Sequence, residues 1–96
     1  MSASPLYKEV STNVDSETRI AVVGIFVEDR PNTAQKVNEI LSLHADVIIG
    51  RLGVPHIKEN AGVIALIVNG TTDEIGSLTG KLGSIKGVKV KSAVTT

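Results

Sequence analysis

Val63, Ile64, Ala65, Leu66, Ile67 and Val68 form an unbroken apolar run between Gly62 and Asn69. The run is short and rich in β-branched side chains, which suits a strand. Successive strand side chains point to opposite faces, so this strand is apolar on both. A sheet built around it needs both faces covered. A chain of 96 residues buries only about two thirds of the surface its unfolded form exposes, too little for three layers of its own. The second face therefore calls for a cover from outside the chain.

The rest of the sequence supplies one layer of helices. Arg19 to Glu28 is a second continuously apolar strand, ended by Asp29-Arg30-Pro31-Asn32, where Pro31 cannot donate to a ladder. Asn32 stands where a helix N-cap is expected, with Gln35 in the capping-box position. Val37, Ile40, Leu41 and His44 then share one helical face. Asp46 to Val54 reads as a further strand. Pro55 to Gly62 is polar enough for a hairpin connection into the run described above. Thr71 and Glu74 form a capping box for a second helix with Ile75, Leu78, Leu82 and Ile85 on its buried face, and Gly87 closes it. The last strand, Val88 to Val94, alternates Val with Lys89 and Lys91, as an edge does.

The order is strand, helix, strand, strand, helix, strand. Right-handed crossovers place both helices on one face, with the first and third strands central. The expected fold is α+β, a ferredoxin-like βαββαβ two-layer sandwich: a four-stranded antiparallel sheet with two helices on one face. Residues 19–96 form this domain and residues 1–18, rich in Ser, Thr and charge, a mobile tail. Tyr7 to Val14 alternates loosely enough for an extra edge strand.

The open face points to self-association as a dimer or tetramer, through Val63, Ala65, Leu66 and Ile67. The alternative is a monomer whose tail folds back over the sheet. Gly76, Gly80 and Gly83 recur along the second helix away from its buried face. Each costs up to about 1 kcal/mol relative to Ala. They read either as a stripe admitting another backbone into an interface or as a loosely optimised exposed helix.

Composition excludes several functions. With no Cys and no Trp, one Tyr and one Phe, there is no thiol chemistry and no aromatic platform for bases. Ten basic side chains balance ten acidic ones, so direct nucleic-acid or membrane binding has little electrostatic drive. Lys81, Lys86, Lys89 and Lys91 crowd the C-terminal part, as a weak basic patch or simply a solvated face. An N-terminus without the apolar run of a signal peptide, and no apolar segment of membrane length, give the expectation of a cytoplasmic protein.

No nucleophile–base arrangement, P-loop or dinucleotide fingerprint is present, and an enzyme is not expected. His44 reads as structural, and His56 as a solvated loop residue that binds metal only with ligands from another subunit. No cofactor and no metal site is expected. The remaining polar concentration is Glu28, Asp29, Arg30 and Asn32 at a helix N-terminus. It is either an anion-binding turn or a capped turn with a solvated Arg.

Glu28-Asp29-Arg30-Pro31-Asn32 between a buried strand and an amphipathic helix resembles the turn of ACT domains, regulatory βαββαβ modules that pair side by side. The usual ACT sequence there is Asp-Arg-Pro-Gly, and Asn32 replaces the glycine. Over Arg19 to Val94, and most specifically from Asn69 to Val94, the sequence resembles small ACT-like proteins regarded as regulators of the iron-only hydrogenase system. The resemblance implies a homo-oligomeric regulator, linked to transcription, that senses a small effector at Asp29, Arg30 and Asn32 or a protein partner. The alternative is a structural or interaction oligomer without a small ligand.

Overall fold

The structure, a computed structural model, describes residues 18–96. The expected tail and the optional strand from Tyr7 to Val14 lie outside the described residues. Thr18 belongs to the domain, as the first residue of the sheet. In chain order the elements are β1 (Thr18–Glu28), α1 (Thr33–Leu43), a short 3-10 turn (Ala45–Val47), β2 (Ile48–Lys58), β3 (Ala61–Thr71), α2 (Thr72–Gly83) and β4 (Val88–Val94). The four strands are antiparallel, in the order β2-β3-β1-β4. The two continuously apolar strands are the central ones.

Register decides which side chain goes to which face. Val23 pairs with Leu66 and Ala21 with Val68, and these residues lie buried beneath both helices. Val37 and Leu41 of α1, and Ile75, Leu78 and Leu82 of α2, complete the core. Leu66 is 0 % exposed, which corrects its expected place in an interface. Its alternation partner Ile67 faces the other way, and Leu66 is core.

The opposite face is open. Val22 pairs with Ile67, Leu52 with Ala65 and Val54 with Val63, all on that side. Val22, Ile67, Leu52 and Val54 are 44 %, 46 %, 66 % and 42 % exposed. The apolar patch therefore runs unbroken across three strands. Gly76, Gly80 and Gly83 also lie in the open: a Cβ built on any of them meets nothing within 4 Å.

The hairpin departs from expectation. Pro55 to Lys58 continues β2 instead of leaving it, and the turn is only Glu59 and Asn60. Between Val54 and Lys58 the register slips, because β2 carries two more residues than the facing segment of β3. His56 takes a φ of 56° within this bulge. Pro55 is tolerated because β2 is an edge strand and a bulged one. Gly62 approaches it closely: a Cβ there would meet the Val54 carbonyl oxygen at 3.2 Å and Pro55 Cα at 3.3 Å, so the bulge would have to give by a few tenths of an ångström.

Capping follows expectation at one helix and not at the other. The Thr71 hydroxyl accepts from the Glu74 amide at 3.1 Å, and the Thr71 amide donates to Glu74 Oε1 at 2.8 Å. Asn32 makes no side-chain cap bond and sits in the left-handed region at φ 66°. An N-cap side chain needs an extended backbone to reach the next turn's amides, and a left-handed one aims it away. Asn is among the few non-glycine residues that adopt this conformation readily.

Candidate functional site

The turn after β1 is held from three sides by backbone hydrogen bonds. The Glu28 amide donates to the Gly87 carbonyl at 2.8 Å, and the Asp29 amide to the Asn60 carbonyl at 2.6 Å. The Thr33 amide donates to the Arg30 carbonyl at 3.1 Å and closes the turn. The junction of β1 and α1 is thereby fastened to the hairpin tip on one side and to the entry of β4 on the other.

Two depressions flank this junction. The first, about 400 Å³, lies between the N-terminal half of α1 and the β2–β3 hairpin. Its apolar wall includes Ala34, Val37 and Ile64, and its polar groups include Asp29, Asn38, Arg51 and His56. Arg51 Nη2 donates to Asn38 Oδ1 at 3.1 Å, which tethers the exposed guanidinium at the rim. Gly53 contributes no side chain, and a Cβ there would meet nothing within 4 Å. The second depression, about 350 Å³, lies on the other side of the turn and is lined by Arg30, Asp29, Phe26 and the hairpin tip, Lys58 to Asn60.

Two of the three expected effector residues, Asp29 and Arg30, thus line the second depression together, and Asn32 does not join them. Asp29 borders both depressions, Arg30 only the second, and Asn32 neither. Arg30 is also engaged already. Its Nε lies 2.7 Å from Glu28 Oε1, and its side chain crosses directly over Gly87. A Cβ at Gly87 would sit 2.7 Å from Arg30 Cδ. Arg30 is therefore a strut between the end of β1 and the start of β4.

Arg51 and Asn38, the polar pair of the larger depression, escaped the sequence reading. They lie 13 residues apart on different elements, α1 and β2, and meet only in the folded chain. The one available signal was Arg51 between Gly50 and Gly53, a charged residue in the otherwise apolar stretch from Val47 to Pro55.

His44 follows α1 as its C-cap, half-buried, with Nε2 3.5 Å from Lys81 Nζ. His56 lines the larger depression instead of a free loop. Among the described residues there is no group of three or more His, Asp or Glu side chains placed to hold a metal ion. No helix among them is long and apolar enough to cross a membrane.

Solved structures share this architecture. The uncharacterized protein TM1266 from Thermotoga maritima is 40 % identical, with a TM-score of 0.80 over 83 % of this chain and 100 % of that one. The ACT domain of GTP pyrophosphokinase from Chlorobium tepidum is 22 % identical, with a TM-score of 0.67 over 79 % of this chain and 99 % of that one. The regulatory subunit of aspartate kinase from Thermus flavus is 19 % identical, with a TM-score of 0.56 over 77 % of this chain and 50 % of that one. The last two likenesses establish the ACT-like fold. No curated protein matches. A family model described as "TM1266-like: Iron-only hydrogenase system regulator, putative" matches residues 19–92. With that match and the likeness to TM1266 over the whole of its length, the chain belongs to the TM1266-like family of iron-only hydrogenase system regulators.

Proposed function

We propose that this protein is an oligomeric regulatory module, assembled through its open sheet face, that senses a small zwitterionic effector in the depression between α1 and the hairpin. The observation that carries the reading is the pairing of opposite charges across one apolar-walled cavity. Arg51, tethered by Asn38, offers an anion site, and Asp29 offers a cation site. A small molecule bearing both groups neutralises each without burying an unpaired charge. The description of the family as iron-only hydrogenase system regulators accords with sensing.

Assembly rests on the patch around Val22, Leu52 and Ile67. Three strands about 4.8 Å apart and several residues long give a footprint of about 300 Å², on the scale of the largest and often functional apolar patch of a small protein. Sheet-on-sheet packing buries the patches of two copies against each other.

A thermal-shift screen of amino acids and related zwitterions, combined with native mass spectrometry, tests both parts. A hit raises the midpoint in the wild type, and Arg51→Ala abolishes the rise. Absence of any hit, with a stable oligomer, favours an interaction module without a small ligand. The engagement of Arg30 by Glu28 is the observation on that side. A monomer at micromolar concentration refutes the assembly.

A further inference from the structure

The outer edge of β4 is unpaired among the described residues, and its backbone parity is fixed by its partner β1. The Glu28 amide donates to the Gly87 carbonyl and the Thr95 amide to the Ile20 carbonyl. Antiparallel hydrogen bonding alternates along a strand, so Lys89, Lys91 and Ala93 also turn their backbone groups towards β1. The N–H and C=O groups of Val90 and Ser92 point the other way, to the free edge. The lysine side chains project onto the open face of the sheet, with Lys89 opposite Phe26 and Lys91 opposite Gly24.

Charge is one-sided here. From Ile75 to Thr96 the sequence contains four lysines and no acidic residue. The ion pair found among the described residues, Arg30 with Glu28, involves none of them. On the helix side, a groove of about 550 Å³ runs between α2 and β4 and is bordered by Gly76, Gly80 and Gly83. Space therefore exists above the edge for the side chain of an added strand.

A second copy of β4 does not suit this edge. Antiparallel self-pairing over its full length, with the helices kept on one side, sets lysine opposite lysine, which destabilises. We infer that the edge of β4 docks an extended acidic segment of a partner protein as a fifth strand. Carboxylates at alternate positions would face Lys89 and Lys91, and a small apolar side chain between them would lie under the bare surface of α2. The residue opposite Val90 exchanges both backbone bonds with it. Main-chain pairing supplies affinity and the charge pattern supplies choice of partner. This surface is separate from the effector cavity and stands without it.

The probe is a synthetic peptide, acetyl-Gly-Ser-Glu-Val-Glu-Ser-Gly-amide, titrated into isotope-labelled full-length protein. Chemical-shift changes are expected at the Val90 and Ser92 amides and along Gly76 to Gly83. In the free protein those two amides exchange rapidly with solvent. Charge reversal by Lys89→Glu with Lys91→Glu, at exposed positions beside the apolar patch and in a protein whose assembled mass native mass spectrometry finds unchanged, weakens binding about tenfold. That is the scale of two cross-strand charge pairs turned from attraction to repulsion. The reversed protein gains affinity for the peptide with Lys in place of Glu. A peptide with Pro for Val loses binding because it lacks the central N–H.

Four results would overturn the inference. One is no shift at millimolar peptide. Another is shifts on the open face instead of the edge. A third is equal binding of the proline peptide or of duplex DNA, which marks plain charge attraction. The fourth is slow exchange of Val90 and Ser92 in the free protein, which marks an edge already occupied by another copy or by residues 1–17.

Discussion

Leu66 and Ile67 are neighbours on one strand with opposite fates, so truncating each in turn tests the face assignment. Leu66→Ala removes three carbons from a site with no exposure. At about 0.8 kcal/mol per methylene-sized group this loses roughly 2.4 kcal/mol of transfer free energy. The volume left between β3 and the helices raises the total to about 3–4 kcal/mol. In a domain of this size each kcal/mol moves the thermal midpoint by about 4–8 °C, so the expected fall is about 15–25 °C. Ile67→Asp places a carboxylate on the open face. In an isolated protomer it stays hydrated and costs under about 1 kcal/mol. Once the face is covered the same carboxylate is buried without a partner, at several kcal/mol. The Asp variant should therefore keep its circular dichroism and lose its assembled mass. Both proteins are measured at matched concentrations, because an oligomer's midpoint depends on concentration. A fall of less than about 4 °C for Leu66→Ala, under 1 kcal/mol by the same scaling, refutes the assignment of faces. An Ile67→Asp protein that unfolds or stays fully assembled does so equally.

The strut over Gly87 and the cap at Thr71 yield two further tests. Gly87→Ala meets both a φ of 89° and the Arg30 side chain and should cost about 1–2 kcal/mol in a denaturation curve. Adding Arg30→Ala should restore only the steric share, because the backbone conformation is unchanged. Thr71→Ala removes the hydroxyl that accepts from the Glu74 amide and leaves the residue-71 amide to donate to Glu74 Oε1; it should cost about 1 kcal/mol, read as a shift of midpoint without a change in denaturant slope.

Element order and strand order were legible because two runs, Arg19 to Glu28 and Gly62 to Asn69, are apolar on both sides, and only central strands need that. The same property hid the face of each residue. In a run without polar side chains, alternation has no mark to start from, and Leu66 is told from Ile67 only by its pairing with Val23. The hairpin was misread because Pro55 and polar neighbours signal a break, whereas an edge strand with a bulge absorbs them. At Asn32 the residue type was a good guide to a helix start and a poor one to its means, since the backbone there is left-handed. The larger cavity was illegible for a different reason. Its polar pair, Arg51 on β2 and Asn38 on α1, is brought together by a contact between two elements, and no local spacing encodes such a contact.

Pairing of β1 with the C-terminal strand also has a kinetic consequence. Arg19 Nη1 donates to the Thr96 carbonyl at 3.0 Å across a sequence separation of 77, whereas β2 and β3 are joined by two residues. The hairpin can close within microseconds. By contrast, β1 is a central strand that gains its second neighbour only when β4 has been made. During synthesis on the ribosome it therefore waits, apolar on both sides and half-paired, in the condition that invites wrong association. Refolding in dilute solution should be slow for so small a domain, because the final step closes a loop almost as long as the domain itself.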